Sequence, residues 1–203
     1  MTDFVVTTMH SDMLLYVDGL QKKNAESLSF YPMQTFERES AKGRIYLGLL
    51  NGEPCGYIYR GSLRGDVRCH QVCIQYDARR RMYGAQLVAC LEADAIDAKC
   101  GGITLRCGFD LDANDFWKSM GYGCVDIQTG GVRRMRQINV WRKPLQPQLF
   151  EDVYIEPAAG KTDASLWRRN KDTGIVTQFI RGKGMREYRA RLESADANNR
   201  EDL

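Results

Sequence analysis

A chain of 203 residues, 43% of them hydrophobic and 27% charged, can build one good core and is too short for two full-sized domains. Its longest apolar runs fall far short of a membrane span, and no basic segment followed by an apolar core opens the chain, so a soluble, cytoplasmic protein is expected. The net charge of +3 hides an asymmetry: residues 1–131 hold 14 Lys+Arg against 16 Asp+Glu, residues 132–191 hold 14 against 6, and the last twelve hold one against four.

Seven cysteines, an odd count scattered through apolar segments, read as reduced and buried rather than as a disulfide framework. With only His10 and His70 as imidazoles and no Cys-x-x-Cys, no metal site is expected.

Phe4-Val5-Val6 reads as a short strand. Ser11 or Asp12 can cap a helix running to about Asn24, with Met13, Tyr16, Val17 and Leu20 on one stripe. Pro32 suits the first turn of a second helix and Gly43 its C-terminal cap. The aromatic joint Ser29-Phe30-Tyr31-Pro32 reads either as packing between helices or as the wall of a substrate cleft. Ile45, Leu47 and Leu49 alternate as in a strand, Asn51-Gly52 signals a tight hairpin, and the returning strand carries Cys55, Tyr57 and Tyr59.

The central strand, Val67 to Gln75, crosses a basic turn, Asp77 to Gly84, directly into a helix with Leu87, Leu91 and Ala95 on one face. A strand that turns tightly into a helix aims free N–H groups and the positive dipole end at one point, which is an anion site. Gly101-Gly102 is expected to end that helix, and Ile103 to Cys107 alternates as a further strand. Then come Asp110, Ala113, Phe116, Trp117, Gly121 and Tyr122 on a helix that ends in Gly-aromatic, followed by a last strand, Gln137 to Trp141.

Arg79 and Gly84 resemble the first and last positions of Gln/Arg-x-x-Gly-x-Gly/Ala, the acyl-CoA loop of the GNAT superfamily of N-acyltransferases. Residues 110–122 resemble its second signature, Asn-x-x-Ala-x-x-Phe-Tyr-x-x-x-Gly-Phe, with the two motifs in the right order and about thirty residues apart. Met82 replaces the first glycine, Asp110 the Asn and Trp117 the Tyr. The resemblance covers roughly residues 1–145. It implies an α+β fold with a mixed, mostly antiparallel central sheet flanked by helices. Residues 146–192 follow as an appended basic hairpin and helix, and 193–203 as a disordered tail.

The resemblance also implies acetyl-CoA (acyl-CoA) as co-substrate and an amine acceptor of unknown identity. Val72, Cys73 and Ile74 would pair with the pantetheine arm. Arg79, Arg80, Arg81, Met82, Tyr83, Gly84 and Ala85 would cradle the pyrophosphate, and Asp110, Phe116 and Trp117 would also face the cofactor. Where some relatives carry a glutamate on the central strand, this chain has Arg68. His70, two residues on and on the same face, is the candidate base, with partly buried packing as the alternative. Trp117 supplies no transferable proton, so Tyr122, Tyr83 or solvent stands in as the acid.

A second reading is a nucleic-acid-binding or nucleic-acid-modifying protein on the same scaffold. It rests on the basic stretch 132–191, where Arg133, Arg134, Arg136, Arg142, Lys143, Arg168, Arg169 and Lys171 interleave with Trp141 and Trp167, and on a general resemblance to compact GNAT proteins, including the phage Mom-like group that modifies DNA bases.

Overall fold

In the computed structural model, the residues described are 3–130, 136–146 and 153–159. Seven strands form one sheet in the order β1-β2-β3-β4-β5-β7-β6. They are β1 Phe4–Thr8, β2 Ile45–Leu50, β3 Glu53–Arg60, β4 Asp66–Ile74, β5 Gly102–Gly108, β6 Gly123–Gly130 and β7 Arg136–Pro144. Every neighbouring pair is antiparallel except β4 and β5. Helices α1 Leu14–Lys23 and α2 Met33–Ser40 are joined by the aromatic loop; α3 Tyr83–Asp97 links β4 to β5, and α4 Ala113–Ser119 precedes β6. This is the expected α+β architecture.

Each sheet face has its own core. Val17, Leu20 and Phe36 of α1 and α2 pack on Ile45, Leu47, Tyr57, Tyr59 and Cys73. On the opposite face Leu87, Leu91 and Ala95 of α3, together with Trp117, pack on Ile58, Val67, Ile103, Leu105 and Trp141. The expected stripe on α3 is therefore the one that buries.

Local chemistry explains the turns. Asn51 and Gly52 both take positive φ (51° and 86°), as a two-residue hairpin turn with the sheet's twist requires. Helix α3 closes earlier than Gly101-Gly102 predicts. Lys99 takes the left-handed position (φ 56°), and Cys100 N–H returns to Ala95 O, so a lysine fills a place usually given to glycine.

The strand β6 is additional to the elements read from the sequence. Residues 153–158 belong to the first compact unit, Met1–Ala158, which runs past position 145. There Ile155 N–H donates to Cys124 O, the Tyr154 ring lies against Gly123, and the buried Asn139 side chain bonds the backbone of Ala158 in both directions. The expected hairpin and helix beyond 160, and the tail, lie outside the described residues. Among the described residues no helix is long and apolar enough to cross a membrane, and the seven cysteines are free, with only Cys90 not fully buried.

Candidate active site

The sheet is opened at one place. Strands β4 and β5 pair in register from Asp66↔Gly102 to Cys69↔Leu105 and no further, although β4 continues to Ile74 and β5 to Gly108. Beyond Cys69 the strands part, and backbone donors and acceptors of both line a wedge. The pairing of β4 with β3 explains the departure. Arg60 pairs with Cys69 but Tyr59 with Gln71, so His70 is the extra residue of a β-bulge, which turns the strand at that point.

The bulge also resets which side chains face which layer. Val67 and Cys69 face α3, whereas Gln71 and Cys73 face α1 and α2. His70 is thus delivered to the α1–α2 side, at the apex of the wedge. Its ring stacks on Tyr59 (centroids 4.6 Å apart), and its Nδ1 shares a hydrogen bond with the Tyr31 hydroxyl at 3.2 Å. Burial, with Arg68 nearby, pushes the His70 imidazole below its ordinary value and outweighs the opposing field of Glu39. Burial likewise raises the Tyr31 phenol. At neutral pH the pair is a neutral imidazole and a neutral phenol.

Tyr31 is held by an amide clamp that the sequence did not reveal. Gln21 of α1 accepts from Tyr31 N–H (2.7 Å) and donates to Tyr31 O (2.9 Å). Gln71, next to His70 and 3% exposed, donates to Gln21 Oε1 and Ser29 O and accepts from the Tyr57 hydroxyl. Three buried side chains thereby fix the aromatic loop against β4.

The other side of the wedge is the turn into α3. No side chain caps this helix, so the first-turn amides of Tyr83, Gly84 and Ala85 have no helical acceptor. Arg80 and Met82 both adopt left-handed φ (61° and 65°), which curls the loop around the helix end. The position where the resemblance expects glycine is thus one where glycine would be unstrained, and Met82 holds it at a cost of about 1–2 kcal/mol, its side chain exposed. A Cβ on Gly84 would meet only Ile74 and Phe116, at 3.6 Å or more, so nothing in the protein itself requires glycine there.

Other expected site residues sit differently. The Arg79 guanidinium donates to Ile74 O and Asn24 Oδ1, tying the loop to α1 and bordering a cleft of about 470 Å³ between them. The Tyr83 ring is buried and stacks on Phe4, so only its amide faces the helix end. Phe116, rather than Trp117, approaches Gly84; Trp117 is buried against Tyr122. The Asp110 carboxylate pairs with Arg136 of β7.

Tyr122 is 3% exposed and donates to Glu92, nine residues along α3 from Tyr83 and so on the order of 13 Å from the helix start. Burial and that carboxylate raise its phenol strongly, so it holds its proton. The structure brings His70, Val72, Cys73, Ile74 and the 80–85 loop to the wedge, and leaves Tyr122 outside it.

Of the cations offered for nucleic acid, Arg136, Arg142 and Lys143 pair with Asp110, Asp66 and Glu92. Trp141 is 2% exposed, with its indole N–H on Asn114, and is no stacking platform. Arg133, Arg134, Arg168, Arg169, Lys171 and Trp167 lie outside the described residues.

Residues 13–122 match the model of the acetyltransferase (GNAT) family. No curated protein matches the chain in sequence. The fold is similar to that of Ard1 from Thermoplasma volcanium (13% identical, TM-score 0.63, covering 71% of this chain and 99% of that one). It is also similar to the ribosomal-protein-S18-alanine N-acetyltransferase from Escherichia coli (12%, TM-score 0.60, 75% and 100%). A third is yncA from Salmonella typhimurium, a putative acetyltransferase solved with its cofactor acetyl-CoA (12%, TM-score 0.61, 74% and 99%).

Proposed function

The chain belongs to the acetyltransferase (GNAT) family and is an acyl-CoA-dependent N-acetyltransferase, and from that premise we propose how its own residues divide the work, with His70 accepting the amine proton. The observation that carries the reading is the parting of β4 and β5 after Cys69↔Leu105, beside an uncapped helix start.

The residues present fit acetyl-CoA. The amides of Arg81 to Ala85, with the α3 dipole, suit a pyrophosphate, and Arg80 and Arg81 add charge to that end. The unpaired edge of Val72 to Ile74 offers strand-type hydrogen bonds to an extended amide chain such as pantetheine. When bound, acetyl-CoA supplies the activated thioester carbonyl and a thiolate leaving group.

The acceptor enters from the face opposite α3, because that face carries His70 and the Tyr31 loop. With Nδ1–H donating to the Tyr31 oxygen, the Nε2 lone pair of His70 is free to take the amine proton, directly or through a water. The two strands hold the reactants within one opening, where positioning supplies much of the acceleration. A thiol titrates at about 8.5, so its thiolate departs without a strong acid. Solvent takes the place that Tyr122 or Tyr83 was expected to fill.

The reading is tested by following thiol release from acetyl-CoA across a panel of amines, together with calorimetry of acetyl-CoA. Amine-dependent release supports it. Absence of acetyl-CoA binding removes it.

A further inference from the structure

The acceptor side of the wedge is lined by cations of a particular kind. Immediately past the last pair, Cys69↔Leu105, come His70 on β4 and Arg106 on β5, one on each side of the opening. Arg106 lies between Leu105 and Cys107, both in the α3-side core, and therefore projects to the side of His70. Arg68, paired with Thr104, projects to that side as well, and its charge bears on both His70 and Tyr31.

The neighbouring cations on this face are committed. Arg142 pairs with Asp66, Arg136 with Asp110, and Arg38, Lys42 and Arg44 surround Glu39. Arg68 and Arg106 are exposed and, among the described residues, make no ion pair. Two unpaired guanidinium forks flanking a base present ten N–H donors and no acceptor toward whatever the base deprotonates. A cationic or extended neutral amine gains nothing from them.

We propose that the acceptor is an amine carrying an anionic group, carboxylate or phosphate, held between Arg68 and Arg106 while its amine faces His70. This rests on the acyl-transfer reading above. Bidentate pairing explains why arginine rather than lysine stands at both positions. It also orients the acceptor, since a fork fixed on each side of the apex leaves one way for the amine to point.

Binding of probes to the CoA-saturated protein tests this without knowledge of the natural acceptor. Succinate, its neutral isostere succinamide, and inorganic phosphate are titrated by calorimetry into wild type and into Arg68→Gln/Arg106→Gln. An anion should bind at least about 10-fold tighter than succinamide in wild type, and the double variant should lose that preference. Whether succinate or phosphate is favoured separates a carboxylate acceptor from a phosphorylated one. Equal binding of all three, or a preference that survives in the double variant, overturns the proposal. Acetyl-CoA affinity is measured on the same preparations. Its retention in the variant shows an intact fold, and its absence from wild type strikes the acyl-transfer reading instead.

Discussion

The Tyr31 hydroxyl lies 3.2 Å from Nδ1 of His70, joining the α1–α2 loop to the one bulged residue of the central strand. With His70 as the proposed base, the contact makes Tyr31 the residue that orients it. General-base catalysis contributes about 10²–10⁴-fold in rate. His70→Ala should lower kcat by a factor in that range, with acetyl-CoA affinity nearly unchanged, because the cofactor's anchors lie on the other face. Tyr31→Phe keeps the ring and loses the orienting bond, so its loss should be smaller. Undiminished turnover in His70→Ala would reduce the residue to packing.

The depressed imidazole fixes the direction of the pH profile. His70 is neutral, and thus competent, at every pH above its folded value, which lies below the ordinary ~6.5. The acidic limb of kcat/KM should therefore sit below about pH 6.5 and disappear in His70→Gln. The same shift acts on stability. The unfolded chain binds the His70 proton at higher pH than the folded chain, so acidification through that window favours unfolding. An acidic limb above pH 7 contradicts the assignment.

Gly84 and Met82 make opposite predictions on one loop. Gly84→Ala adds a Cβ at ordinary contact distances and should leave stability equal or slightly raised. Any loss of acetyl-CoA affinity then measures the ligand's approach, and Gly84→Trp should abolish binding. Met82→Gly relieves a left-handed φ but frees the unfolded chain, so stability should rise by no more than about 1 kcal/mol. Equal acetyl-CoA affinity for wild type and Gly84→Trp in calorimetry would falsify the placement of the pyrophosphate.

Gln71 joins packing to the site. Gln71→Leu removes its bonds to Gln21, Ser29 and Tyr57 and strands those partners in a buried setting, at about 1–3 kcal/mol. The aromatic loop should loosen with it. The expected signature is a KM for the amine that rises more than acetyl-CoA affinity falls, which simple destabilisation does not produce.

Much of this was legible in the sequence because local signals and tertiary structure agree. Asn51-Gly52 specifies its turn, the α3 stripe specifies its buried face, and strand-turn-helix specifies the uncapped start of α3. Strand β6 was hidden because a bulge at Val125 breaks its alternation between Cys124 and Asp126. The bulge at His70 had the opposite effect. Counting by twos put Arg68 and His70 on one face, which holds, but gave no sign that Gln71 joins them there. Tyr122 matched its motif position, yet its hydroxyl direction is set by Glu92 and Lys143, 30 residues before it and 21 after it, which no local pattern encodes. Arg106 and Arg68 became a pair only once the register between β4 and β5 was known.

Glu39 supports the site from behind. Its carboxylate is 5% exposed and is held at about 2, first by the hydrogen bond from Arg38 and then by Lys42 and Arg44, against the cost of burial. The folded value lies below the unfolded one, so the stabilisation is fully present above about pH 4.5 and is lost as pH falls toward 2. Arg38 is largely exposed, so solvent screening keeps the gain well below that of a buried pair. Glu39→Gln should thus be less stable than wild type at pH 7, and the gap should narrow steeply on titration from pH 4.5 to pH 2.5. The carboxylate also raises His70, against burial and Arg68. Removing it should move the acidic limb of kcat/KM to still lower pH. Denaturation curves and pH–rate profiles of the one variant check both effects, and a gap independent of pH would assign its stability loss to packing instead of charge.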